Sequence, residues 1–437
     1  MTIEPSDGVI EVVATVRLVP AANGRGGGAG EVCFLLAPGL EITSANEAAP
    51  PSRRGPASSP GQAQSTALRR VPLAVGRAGP APASGHTELR LAYRGRLPAE
   101  WITPASTELA IYNLWFPVFS GNLPAFSFRA LVRVPCDSVT AASGRLLPLP
   151  PSLRSQVHNH AAPRAYLWES AGPVTDIAIC SGPYLVHQRR LGTLTVEVFT
   201  QGDGFVLGEP YLELAEQVLD CLGARFGPLE QPGVTPDTYL DRLGLVITPK
   251  SIQGGYARPG HIVLPHPMAA GILKPGEEQS TALWLAHEMA HLWFGGLLES
   301  DTVTEPWLSE GFAEYGLLLF LRVRWGTAAY REALSRYAGR VAQIDQPPPL
   351  AGVRADHPEM DTLARCRGAL LLAGLHEAVG DRMMTEFMTG FVVRYAGRAV
   401  TTHDFAVYAR GHLDKDAWRL VAARLGGEGA EGVVSLA

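Results

Sequence analysis

The chain predicts an α+β protein: an N-terminal antiparallel β saddle or sandwich, then a mainly helical domain with a small sheet. Three observations carry that prediction. Through the first two hundred residues, short runs of Val, Leu, Ile and aromatics alternate with turn clusters, a spacing that suits paired antiparallel strands and not a βαβ fold. From Glu209 onward, apolar residues recur mainly at spacings of three and four, as on one face of a helix. The 437 residues, 46% hydrophobic and only 18% charged, suffice for two or three cores and exclude a disordered chain.

Taken in order, the β elements are Val9–Leu18, Glu31–Leu36, Thr87–Tyr93, Phe126–Val134 and Leu191–Thr200. Between Asn46 and Gly85 the chain is mainly Pro, Ala, Ser, Gly and Arg, with no aromatic residue. That composition buries too little surface to offset its ordering entropy, so residues 46–85 read as a mobile insertion. It takes up part of the 47 glycines and 35 prolines, which together exceed the usual share of roughly 12%. The character changes near Gly202–Gly208, which divides the chain into domains 1–203 and 204–437. In the second domain Tyr211, Leu212, Leu214, Ala215, Val218, Leu219 and Leu222 mark a first helix. Leu243–Thr248 and Ile262–Leu264 read as strands; Glu277–Leu297, Trp307–Arg324, Thr327–Ala342, Thr362–Val379 and Arg382–Tyr395 read as helices. No internal repeat is present.

Charge and processing signals narrow the function classes. The net charge of −5 leaves no basic footprint for nucleic acid or an anionic membrane, so neither is expected as a partner. No basic region followed by an apolar run opens the chain, and the longest apolar stretches, Tyr315–Leu321 and Gly368–Leu375, are too short to span a bilayer. Five scattered cysteines without a CxxC pair suit free thiols in a reducing compartment, and a soluble cytoplasmic protein is expected.

The sharpest signal is His287-Glu288-Met289-Ala290-His291. Inside a helix, residues four apart share a face, so both imidazoles converge on one point, as a tetrahedral zinc ion requires. The acid beside the first histidine can take a proton from water at the metal. A hydrolytic zinc needs three protein ligands, and Glu310, nineteen positions after His291, returns a carboxylate on the next helix. Its neighbours Trp307, Leu308, Phe312 and Ala313 are apolar, so that helix face points inward. One Zn2+ is the expected cofactor. Glu314, a helical turn on, reads either as a carboxylate orienting a ligand histidine or as a solvated acid.

His287–Gly296 (HEMAHLWFGG) and Trp307–Tyr315 (WLSEGFAEY) resemble the zinc signature of the M1 family of zinc aminopeptidases. Trp115–Val134 with Cys180–Val186 resembles the end of that family's N-terminal saddle domain. The resemblance implies a thermolysin-like catalytic domain with His287, His291 and Glu310 as ligands and Glu288 as general base. It also implies that the long C-terminal helical domain of larger members is absent, because few residues follow Tyr395.

Two family motifs are altered. The family's Gly-x-Met-Glu-Asn strand, whose glutamate binds the substrate amine, matches Gly254-Gly255-Tyr256-Ala257-Arg258, with Ala257 for the glutamate and Arg258 for the asparagine. The family's tyrosine donor to the oxyanion falls at Arg365, three residues before Gly368. Two guanidinium groups are therefore expected at the cleft, where they suit an anionic group of a substrate or, for Arg365, the oxyanion itself. The leading function is a zinc metallopeptidase, aminopeptidase-like, acting on a peptide or small amide with altered recognition. The alternatives are an inert M1-like protein that binds a peptide or partner, and a zinc hydrolase of a non-peptide amide or ester. His158, His160, His261 and His266 read as structural or solvated, and Glu108 lies near the family's second amine-binding acid.

Overall fold

The protein was described from a computed structural model that covers residues 1–18, 31–45, 68–72, 87–119, 126–151, 162–170, 174–229, 241–249, 255–258 and 260–426. It has two compact units, Met1–Leu185 and Val186–Ala437, each with its own apolar core.

The first unit is built of β-sheet. A seven-stranded sheet runs in the order Arg145–Leu147, Arg164–Glu169, Arg129–Val134, Thr2–Glu4, Val9–Leu18, Thr87–Arg96, Leu40–Ala45. Its one parallel pairing among the described residues joins Thr2 to Arg133. Alternation explains the register: in Val9–Leu18, Ile10 and Val12 turn inward while Glu11 and Val13 face solvent. Two three-stranded sheets complete the unit: Val139–Ala142, Ile179–Gly182, Thr107–Leu109, and Leu68–Pro72, Glu31–Leu35, Val118–Phe119. Leu68–Pro72 lies within the segment read as an unstructured insertion; its Leu68, Val71 and Pro72 pair with Leu35, Val32 and Glu31, so strand pairing outweighs the composition there. The rest of that insertion falls outside the described residues, as do His158 and His160.

The boundary lies at 185/186, not near 203. Strand Leu185–Leu191, from Val186 onward, and strand Leu194–Thr200, joined to it by a turn at Gly192, belong to the second unit because Leu194–Thr200 pairs in parallel with Arg242–Thr248. The five-stranded sheet continues with His261–Pro265, parallel again, and ends on the antiparallel edge strand Tyr256–Arg258. Residues of the central strands Arg242–Thr248 and His261–Pro265 are nearly all buried, which is why both read as continuous apolar runs.

Helices Gly208–Phe226, Glu278–Ala290, Trp307–Ala342 and Gly368–Tyr395 accompany this sheet. Gly326 (φ 88°) and Gly380 (φ 82°) break the two longest at the positions the apolar periodicity indicated, because the left-handed region is open to glycine at little cost. The helix expected over Glu277–Leu297 ends earlier, at Ala290, and Thr362–Arg367 forms a π-helical turn instead of α-helix. Two further helices, Thr402–His412 and Lys415–Gly426, escaped the sequence reading. The first is announced by a capping box, Thr401 with Asp404. It also anchors the Trp307 helix, since Trp307 Nε1 donates to Thr402 Oγ1 at 2.8 Å and Glu305 caps the Thr402 amide at 2.8 Å. Among the described residues no helix is long and apolar enough to cross a membrane.

Candidate metal centre

The sequence-predicted ligands meet. One donor atom each from His287, His291 and Glu310 lies within 4.8 Å of the others. His287 sits in the last turn of its helix and His291 at the C-cap, so the second imidazole projects from the helix end, not from its interior as the spacing suggested. Glu310 stands in the first turn of the next long helix. Its Oε2 is 3.4 Å from His287 Nε2 and its Oε1 3.8 Å from His291 Nε2. Tetrahedral ligands about 2.0–2.1 Å from a common zinc stand about 3.3 Å apart, so the Glu310–His287 spacing matches and the others need only a small contraction.

The opposite imidazole nitrogens face other groups, so Nε2 of each ring is turned toward Glu310. His291 Nδ1 lies 3.0 Å from the Phe294 carbonyl and 3.1 Å from Ser309 Oγ. Glu314 Oε2 lies 2.9 Å from His287 Nδ1, and Tyr337 donates its hydroxyl to the other Glu314 oxygen. Glu314 is buried, so of its two sequence readings the structure favours the orienting carboxylate. Ser309 adjoins the motif, whereas Tyr337, in the helical segment beyond Gly326, carries no local signal in the sequence.

Electrostatics follow from burial and proximity. Desolvation raises the Glu288 pKa, although the charges of His287, Arg365 and Arg258 oppose it. Glu288 is 6% exposed. Burial by itself would raise the Glu310 pKa, but the bond to His287 and the charges of both histidines and Arg365 hold it well below the usual carboxylate range. Burial lowers the His291 pKa to about 4, with the neighbouring His287 charge adding to it.

Arg365 is placed otherwise than expected. Its guanidinium turns onto the ligand set and not toward an open cleft: Nε donates to Glu310 Oε2 at 3.0 Å and Nη2 lies 2.5 Å from His287 Nε2. The cause is a close helix crossing. A Cβ on Gly311 would stand 2.9 Å from both the Ala364 carbonyl oxygen and Gly368 Cα, so Glu310 and Arg365, each next to one of the touching residues, are forced together. Arg258 ends the edge strand, donates to the Ala257 carbonyl at 2.8 Å and lies over the Tyr256 ring. Gly255 runs against the sheet, where a Cβ would meet the Val263 carbonyl at 2.2 Å and the Trp284 ring; Gly254 lies outside the described residues. Glu108 belongs to the first unit, where it accepts from Tyr112 at 2.9 Å. His261 is fully buried with no ring-nitrogen partner among the described residues, and His266 opens a single helical turn.

Residues 239–416 match the Peptidase family M1 domain. The chain is 24% identical over 184 residues to endoplasmic reticulum aminopeptidase 2 of Bos taurus, covering 38% of this chain and 18% of that protein. To aminopeptidase M1-B of Oryza sativa subsp. japonica it is 22% identical over 298 residues, covering 64% and 32% respectively. The chain thus spans less than a third of the length of either relative. A solved M1 zinc metallopeptidase from Deinococcus radiodurans superposes with a TM-score of 0.67 at 20% identity, covering 98% of this chain and 92% of that one. Residues 239–416 thus resemble the peptidase family M1 domain, and the α+β fold of the chain is shared with that solved M1 zinc metallopeptidase.

Proposed function

We propose that the chain is a zinc-dependent metallopeptidase with aminopeptidase-like chemistry and altered substrate recognition. The gathering of His287, His291 and Glu310 beside the buried Glu288 carboxylate supports this reading most directly. Zinc held by those three side chains supplies a Lewis acid that polarises a carbonyl and makes water a nucleophile near neutral pH. The chain's own groups do the rest. Glu288, its pKa raised by burial, accepts the proton of the attacking water and passes it to the departing amine. Glu314 and Ser309 hold the two imidazoles in the orientation that presents Nε2.

Recognition differs from the family pattern because Ala257 offers no carboxylate for a substrate ammonium, while Arg258 adds a cation to the same strand. A free N-terminus is then no advantage, and peptides with blocked or acidic ends are accepted. Hydrolysis of free-amine, N-acetylated and acidic peptides, and of simple amides, with Glu288→Gln as control, tests both parts. The expected result is Glu288-dependent turnover that acetylation does not reduce. A marked preference for free neutral N-termini would overturn the altered recognition. Bound zinc without any Glu288-dependent turnover would favour the second reading, an inert M1-like binding protein, which the Arg365 contact with His287 supports.

A further inference from the structure

The position of Arg365 bears on the metal itself. Glu314 faces Nδ1 of His287, so Nε2 is the nitrogen of that ring turned toward Glu310 and Arg365. Arg365 Nη2 lies 2.5 Å from that nitrogen while Nε donates to Glu310 Oε2 at 3.0 Å. A zinc ion needs the same nitrogen and the same carboxylate, about 2.0–2.1 Å away. Nη2 at 2.5 Å and an ion at about 2.0–2.1 Å cannot stand against the same nitrogen together, so the guanidinium and the metal exclude each other at His287. A second resting place exists close by: Asp361, one helical turn earlier and well exposed, lies 3.4 Å from Arg365 Nη1. Rotating the end of the side chain toward Asp361 frees both ligands while keeping the arginine paired.

We propose that Arg365 is an internal cation that competes with zinc for His287 and Glu310, so that metal loading requires the guanidinium to move toward Asp361. The competition rests on the zinc-site reading above, but not on peptidase activity. Its consequence is a reduction of apparent zinc affinity by the fraction of molecules in which the ligands are free. Arg365 is also a counter-charge for Glu310 and Glu314, whose Oε2 is 3.9 Å from Nε.

The full chain, stripped of metal with a chelator, is titrated with zinc against a chelating indicator, and with cobalt(II) followed by its absorption. Arg365→Gln is expected to bind either ion at least tenfold more tightly than the native chain, equivalent to about 1.4 kcal/mol. Its metal-free form is expected to melt lower and to gain more in melting temperature on zinc addition. Arg365→Lys separates contact from charge: one ammonium on a flexible stem does not span both acceptors, so its affinity should approach that of the glutamine variant. Equal affinities for Arg365 and Arg365→Gln overturn the proposal, as does a lysine variant that binds like the native chain while glutamine binds tighter. Failure of every form to bind either ion overturns this inference together with the zinc reading. Tighter binding by the glutamine and lysine variants without peptide turnover sustains the competition and removes only the peptidase.

Discussion

Replacing Gly311 by alanine adds one methyl at the point where the helix bearing Glu310 crosses the turn bearing Arg365. The new Cβ would stand 2.9 Å from the Ala364 carbonyl oxygen and 2.9 Å from Gly368 Cα, both backbone atoms that no rotamer change can move aside. The crossing must therefore open, and overpacking of this kind costs about 1–3 kcal/mol. Against it stands the helix-propensity gain from Gly to Ala, about 0.8–1.0 kcal/mol. Gly339, exposed in the segment following the break at Gly326, isolates that gain because a Cβ there meets nothing within 4 Å. Gly339→Ala should stabilise the protein slightly, and Gly311→Ala should fall about 1–3 kcal/mol below it. For a unit of this size that is a gap in melting temperature of roughly 2–4 °C per kcal/mol. Zinc titration provides a second readout: ligand distances tolerate only about ±0.2 Å, so a shifted Glu310 binds metal several-fold more weakly while Gly339→Ala leaves affinity unchanged. Equal melting temperatures and equal zinc affinities for the two variants would refute the crossing as the element that positions Glu310.

Other consequences are open to direct measurement. Glu288→Gln should keep zinc affinity and melting temperature while lowering turnover by about 10²–10⁴-fold, as loss of a general base does; unchanged turnover would remove Glu288 from the chemistry. Glu314→Gln should weaken zinc binding by about 10–100-fold through loss of the carboxylate facing His287 Nδ1, which a chelator competition reads; an unchanged affinity would return Glu314 to the role of a plain buried acid. Burial lowers the His261 pKa from 6.5 to about 3, with the Arg258 charge assisting. The folded state then holds fewer protons than the unfolded chain, so this contribution is present above pH 6.5 and is lost as pH falls toward 3. Linkage puts the loss by pH 5 at about 2 kcal/mol, and His261→Leu should flatten the wild-type stability slope between pH 7 and pH 5 by that amount. Identical slopes for the two proteins would refute it.

Legibility in the sequence followed the range of the interactions. Helix breaks at Gly326 and Gly380, the strands Val9–Leu18 and Arg242–Thr248, and the three donor residues were visible because each rests on local spacing or on a continuous apolar run. The domain boundary was misplaced because Leu194–Thr200 reads like any other strand, and only its parallel pairing with Arg242–Thr248 assigns it to the second unit. Leu68–Pro72 was hidden by its Pro-, Ala- and Gly-rich surroundings, although its own Leu and Val residues are ordinary strand formers. Tyr337 entered the site through a tertiary contact alone, and no spacing rule reaches across 23 residues and a helix break from Glu314 to Tyr337.

The charge of the site shows why substitution patterns alone mislead. Relative to the family pattern that the sequence resembles, Ala257 removes a negative charge, while Arg258 and Arg365 each add a positive one. Read additively, those changes make an anion-seeking pocket. The structure breaks the additivity, because Arg365 is drawn to Glu310, Glu314 and Asp361 and arrives already paired. A paired guanidinium attracts a substrate carboxylate weakly, since any gain must offset the contacts it gives up. Arg258 points to its own Ala257 carbonyl and the Tyr256 ring, yet its charge reaches Glu288 and His261, so it is the cation through which the missing glutamate would be felt. On the proposed reading, acidic-substrate preference therefore depends on Arg258 more than on Arg365. Arg258→Ala should reduce kcat/KM for acidic peptides selectively, whereas Arg365→Gln should act first on metal affinity. The opposite assignment of those two effects would show that Arg365 leaves its acidic partners for the substrate.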